Sequence, residues 1–136
     1  VPTPTIKGLD RALANVEAEL YRKTHNRAFA DVARVVADAR MAWPVGERKF
    51  RPHSRNLFKI VDKSNGTDRV HFVIENTARD KRGTPYAFYI RSPQVPGAGA
   101  TKSGMKNAWL VLIRRPTLKT LRTLAEQIAK DPLGRG

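Results

Sequence analysis

The sequence predicts an α+β fold: a long N-terminal helix, a small antiparallel β-sheet of about four strands, and a C-terminal helix. Three observations carry this. Apolar residues recur at helical spacing from Leu9 to Ala42. Short apolar runs separated by turn residues follow, with Asn65-Gly66 the strongest turn signal among them. Helical spacing then returns at Leu118, Leu121, Leu124, Ala125 and Ile128. Helix, strands and helix in that order build an α+β domain, in contrast to alternating βαβ units. A chain of 136 residues fits one domain.

Residues 1–7 predict an extended arm, because Pro2 and Pro4 lack amide donors and push their predecessors out of the α region. Residues 8–136 form the single domain. Leu9, Leu13, Val16 and Leu20 are spaced four, three and four apart. Ala28, Val32, Val35, Ala39 and Ala42 continue the stripe nearly in phase. Thr24-His25-Asn26 weakens it, but the phase favours one helix over roughly 8–42. Such a helix is about 50 Å long at 1.5 Å per residue. That exceeds what so small a domain covers, so part of it is expected to pack against another chain. Leu9, Leu13, Val16, Leu20, Val32 and Val35 are the expected subunit contacts on it.

Trp43-Pro44 ends the helix. A basic loop follows over 44–55, with Arg48, Lys49, Arg51 and Arg55. Runs at 57–61 and 70–74 predict an antiparallel hairpin about Ser64-Asn65-Gly66-Thr67. A second basic loop at 77–84 holds Arg79, Lys81 and Arg82. The aromatic run 86–90 predicts a third strand, and 108–113 a fourth. Between them, 92–107 is rich in Pro, Gly, Ser and Ala and predicts a long flexible loop. Its Pro93 and Pro96 are expected to order against a neighbouring subunit. Pro116-Thr117 opens the last helix with Thr117 as N-cap. Asp131-Pro132 and Gly134 stop it.

Chemistry is sparse. The chain has no cysteine, which excludes disulfides, thiolate zinc sites and cysteine nucleophiles. No apolar run approaches the ~20 residues of a membrane span, and the first residues do not read as a signal peptide. His25, His53 and His71 lie far apart, with no H-E-x-x-H spacing. Asp62, Asp68, Glu75 and Asp80 fall in or near the hairpin, where a metal-dependent nuclease would want acids. Ile74-Glu75-Asn76-Thr77 lacks the lysine two residues after the acid that the common nuclease core would supply. No G-x-S-x-G, Walker loop or dinucleotide fingerprint occurs. The chain therefore reads as a non-enzyme, with no catalytic residue, metal ligand or cofactor.

Charge is the remaining signal. Lys and Arg number 26 against 12 acids, a net charge of +14. Such an excess attracts polyanions, either nucleic acid or acidic protein. In one cluster Arg48, Lys49, Arg51, Arg55 and Lys59 surround Phe50, His53 and Phe58. In the other Arg79, Lys81, Arg82 and Arg91 flank Tyr86, Phe88 and Tyr89. Basic residues interleaved with aromatics bind single strands by charge and stacking. The same pattern also arises when the aromatics are core and the charges face solvent.

The order of parts resembles the tail-completion, or neck, family of long-tailed, lambda-like bacteriophages. Ile6-Lys7-Gly8-Leu9-Asp10 matches that family's opening glycine and Leu-rich helix. The stretch from Ala39 to Pro44 matches its helix end, and Ser54-Arg55-Asn56-Leu57 stands at its Thr-Gly-x-Leu element, with Arg55 in place of the glycine. Tyr86-Ala87-Phe88-Tyr89-Ile90 matches its Tyr-Ala strand, although Arg91-Ser92-Pro93 replaces the acid and Gly-Thr that often follow. The resemblance implies a structural virion protein of the head–tail junction. It would form a homo-oligomeric ring, a hexamer favoured, around the DNA conduit. Its partners would be other phage tail or connector proteins, with non-specific contact to packaged DNA and none to membrane. A small basic nucleic-acid-binding protein without catalysis is the alternative.

Overall fold

The computed structural model describes residues 8–44, 54–93, 95–96 and 104–134. Helix α1 runs unbroken from Leu9 to Ala42, straight through Thr24-His25-Asn26. Gly8 caps it at φ 91°, a left-handed conformation that costs glycine least, and its carbonyl accepts the Ala12 N–H at 2.9 Å. Only the second half enters the core, through Ala28, Val32, Val35, Val36 and Ala39. Residues 8–18 are exposed along their whole length. The near-phase continuation expected of the stripe does not hold. At 100° per residue, two successive four-residue steps separate Leu20 from Ala28 and turn the second stripe roughly 100° from the first.

Strands β1 (Phe58–Asp62) and β2 (Phe72–Asn76) pair antiparallel, with Phe58 opposite Asn76 and Asp62 opposite Phe72. Their connection is organised by Asn65, whose Oδ1 accepts the backbone N–H groups of Thr67, Asp68 and Arg69 at 2.9–3.0 Å. Gly66 takes the positive φ of 84° this turn requires and donates its N–H to the Tyr21 hydroxyl on α1 at 2.9 Å.

The other two expected strands are elsewhere. The run 86–90 is a single 3₁₀ turn, Ala87–Tyr89, which places Ala87 in the core and leaves Tyr89 exposed. The chain pairs just beyond it instead, as β3 (Arg91–Ser92) against β4 (Lys106–Asn107). This short ladder clamps the two ends of the 92–107 stretch, and Val95 within it is buried. The strands thus form two separate two-stranded sheets.

The run 108–113 is helical, in correction of the expected fourth strand. Asn107 Oδ1 accepts the Leu110 N–H at 2.9 Å and so caps a helix that starts well before Thr117. Short apolar runs do not distinguish strand from buried helix by period, and the cap decides here. Leu110–Arg114 forms a π turn, in which the Arg115 N–H reaches the Leu110 carbonyl, and α2 (Arg115–Lys130) continues from it. The wider turn lies where Pro116 has no N–H to offer the ladder. Thr117 is consequently inside the helix, its hydroxyl buried without a partner.

Helix α2 runs antiparallel along the second half of α1. Arg27 meets Gln127, while Ala42 and Leu112 line one groove. The core gathers Val35, Ala39, Trp43, Ala87, Val95, Ala108 and Ile113. Trp43, 2% exposed, lies edge-on to Phe58 and Trp109 at ring-centre distances of 4.9 and 6.5 Å. Such pairs add about 1 kcal/mol beyond the area they bury.

Candidate functional site

The first surface is the projecting half of α1. Leu9, Leu13 and Val16 are about half exposed, and Leu20 is half-buried. Lys23 Nζ donates to the Leu133 carbonyl at 2.6 Å, beyond the end of α2, so residues 9–20 extend past that end, and 9–18 are exposed throughout. Of the expected subunit contacts, these four stay available, and Pro93 and Pro96 are exposed. Val32 and Val35 are not available. They are 8% and 7% exposed because α1 buries them within its own chain.

The second surface is a basic edge at one end of the β1–β2 hairpin. Asn76 is buried, its Nδ2 donating to the Ser54 carbonyl at 2.7 Å and its Oδ1 accepting the Ala78 N–H at 3.0 Å. The Thr77 N–H donates to the Leu57 carbonyl at 3.1 Å. These bonds bring the segment carrying Arg55 against the start of the loop carrying Lys81 and Arg82, two clusters separate in sequence. The Trp43 Nε1–H donates to Ser54 Oγ at 2.9 Å and fixes the same corner to the end of α1. Arg48, Lys49 and Arg51, with Phe50 and His53, lie outside the described residues.

The candidate cations differ in what holds them. Arg55, Lys81 and Arg82 are exposed. Lys59 stands opposite Glu75 in the β1–β2 register, so an acid neighbours its charge. Arg79 closes its own loop, donating from Nη1 to the Gly83 carbonyl at 2.8 Å. Asp80 completes that loop, its Oδ1 accepting the N–H groups of Arg82 and Thr84 at 2.8 and 2.9 Å. The loop therefore presents Lys81 and Arg82 on a hydrogen-bonded frame. Of the interleaved aromatics, Phe58 packs on Trp43 and stacks on Trp109, which removes it from base stacking, whereas Tyr89 is 75% exposed.

Of the acids weighed for a nuclease, Asp62, Asp68 and Asp80 have local structural work, and Glu75 stands opposite Lys59. Asp62 accepts from Ser64 N at 2.9 Å and pairs with His25 Nε2 at 2.7 Å. That hydrogen bond raises the His25 pKa above 6.5, with burial opposing it. The Asp62 pKa falls to about 2, through hydrogen bonds to Ser64 first and His25 second. Asp68 accepts from the Asn65 amide, and Asp80 pins its loop. Among the described residues, no three His, Asp or Glu side chains gather where a metal would sit. A groove of about 310 Å³ between α1 and α2 is lined by Asp31, Arg34, Asp38, Leu112, Pro116 and Thr120, among others. Its Asp31 and Arg34 pair at 3.3 Å.

No described helix is long and apolar enough to cross a membrane. No family model matches this chain, and neither a curated protein nor a solved structure does.

Asn76 and Asn107 are the residues that the sequence pattern leaves unmarked. Asn107 carried a signal, as a capping side chain immediately before an apolar run. Asn76 carried none, since its partners lie 22 residues upstream and two downstream.

Proposed function

We propose that this chain is a non-catalytic structural subunit of a phage head–tail junction, of the neck or tail-completion kind. It would assemble into a ring around the DNA conduit. The observation that carries the reading is the half-used helix. α1 spans 34 residues, and its first half holds out an apolar seam that its own domain does not cover. A side of roughly 50 Å on so small a domain suits a subunit that completes itself against neighbours. The basic edge at Arg55, Lys81 and Arg82 would face DNA or an acidic neighbouring ring. The resemblance in order of parts supports the same assembly through the Gly8-Leu9 opening of α1 and the closing helix, while Tyr86-Ala87 enters a 3₁₀ turn where the family has a strand.

Mass spectrometry of purified virions from the parent phage, with immunogold microscopy, tests this. The expected result is label at the neck in a small fixed copy number. Absence from finished particles overturns it. The basic edge also favours a second reading, a nucleic-acid-binding protein. That reading predicts DNA affinity falling steeply with salt, with a slope reduced by about one for each of Arg55, Lys81 and Arg82 replaced.

A further inference from the structure

The exposed seam of α1 and an exposed strip of α2 match in spacing, charge and hand. On α1, Leu9, Leu13 and Val16 are spaced four and three apart. Asp10 and Glu17, both exposed, stand seven residues apart, each one position after a seam residue. On α2, Leu118, Leu121 and Ala125 are exposed and spaced three and four apart. Arg115 and Arg122, both exposed, also stand seven apart, and Arg122 comes one position after Leu121. Arg115 keeps a contact within its own chain as well. Threes and fours are the spacing of a coiled-coil seam.

Both charged pairs lie on the same side of their seams, at the position that follows the second apolar residue of the heptad. In two antiparallel helices, equivalent flanks face one another. Setting Leu9 on Ala125, Leu13 on Leu121 and Val16 on Leu118 brings Asp10 toward Arg122 and Glu17 toward Arg115. Pairing like with like is disfavoured. Two antiparallel α1 seams would set Asp10 against Glu17, and two α2 strips would set Arg115 against Arg122. Nor can the two surfaces meet within one chain. α2 lies along the second half of α1, and residues 9–20 extend beyond its end.

We propose that the projecting half of α1 docks antiparallel onto the Leu118, Leu121 and Ala125 strip of a second copy of this chain. The contact is heterologous, so every copy offers one surface of each kind. Repetition then closes a ring or extends a filament. The docking deepens the ring reading above by naming its subunit contact, but it is tested on the isolated full chain.

Sedimentation velocity over a concentration series should show self-association of the wild type. Leu13→Asp, and separately Leu121→Asp, should each weaken it at least ~30-fold, the loss expected of a central interface residue. Circular dichroism should show both variants folded. A mixture of the two retains one good α1 seam and one good α2 strip, so it should give one-to-one heterodimers and nothing larger. Reversing Asp10 and Glu17 to Arg should weaken association, and reversing Arg115 and Arg122 to Glu in the same chain should restore it. A monomeric wild type, association indifferent to both leucine variants, or a mixture that stays monomeric each overturns the docking. Failure here would leave virion composition to decide the junction reading. Head-to-tail assembly of a chain absent from virions would retain the docking and refute the junction.

Discussion

Leu13 and Ala39 belong to one continuous helix, yet the first is 54% exposed and the second 1%. In the first half of α1, Leu9, Leu13, Val16 and Leu20 follow the spacing of a helix seam. In the second half, Ala28, Val32, Val35, Val36 and Ala39 do likewise, and α2 and the hairpin cover them. Composition separates the two. Alanine and valine on the buried half let neighbouring backbones approach closely, while three leucines on the free half suit interdigitation with another helix. Periodicity thus announces that a stripe wants burial. It does not say whether the cover comes from the same chain.

The largest expected effect lies at the buried end. Trp43→Ala removes the ring that joins α1 to Phe58 and Trp109 and the donor that holds Ser54. It should cost about 3–5 kcal/mol in urea denaturation. A loss under ~1 kcal/mol would mean that the second half is not held as described.

Asn107→Ala comes next. It deletes the cap on the helix that covers the second half of α1 and a donor to the Phe88 carbonyl. The expected cost is about 1 kcal/mol, read from the same denaturation curves. An unchanged midpoint would show that the helix start at Ala108 does not depend on the cap.

A smaller effect sits at the boundary between the halves, where His25 pairs with Asp62. A histidine whose folded pKa is raised contributes stability below its ordinary 6.5, lost as pH rises through the folded value. An aspartate lowered to about 2 contributes above its ordinary 3.8, lost as pH falls toward 2. The link between α1 and the hairpin should therefore be tightest between pH 3.8 and 6.5. His25→Gln should flatten the upper slope of stability against pH. An NMR titration placing the His25 midpoint at or below 6.5 would refute the pairing.

The smallest stability effect is expected at Leu13, where Leu13→Asp should leave the monomer within ~0.5 kcal/mol of wild type. A large loss there would show that the projecting half is covered within its own chain and would erase the contrast between the halves.

Several features were legible from the sequence because their signals are local. The bounds of α1 follow from Gly8, two successive helical stripes and Trp43-Pro44. The hairpin follows from β-branched and aromatic runs about Asn65-Gly66. The basic loop at 77–84 is legible as a loop, but the bonds that set its start beside the segment carrying Arg55 are not, since Asn76 and Ser54 meet across 22 residues. The run 108–113 is not legible as helix because six apolar residues carry no period, and the Asn107 cap decides it. The run 86–90 departs from its strand-like composition because aromatics favour strands only where an edge is free to pair, and the pairing edge here is Arg91–Ser92.

By itself the sequence determined the α+β order, both ends of α1, the stop of α2 at Asp131, the hairpin turn and the +14 charge. Each of these rests on steric, periodic or Coulombic rules that act between near neighbours in the chain or on the chain as a whole. Only the tertiary structure decided which half of α1 would be covered, that the segment carrying Arg55 would meet the start of the 77–84 loop, and that Val32 and Val35 belong to the core. Those outcomes depend on the phase of one element against another. A turn of roughly 100° between two stripes is enough to send one inward and leave the other for a partner.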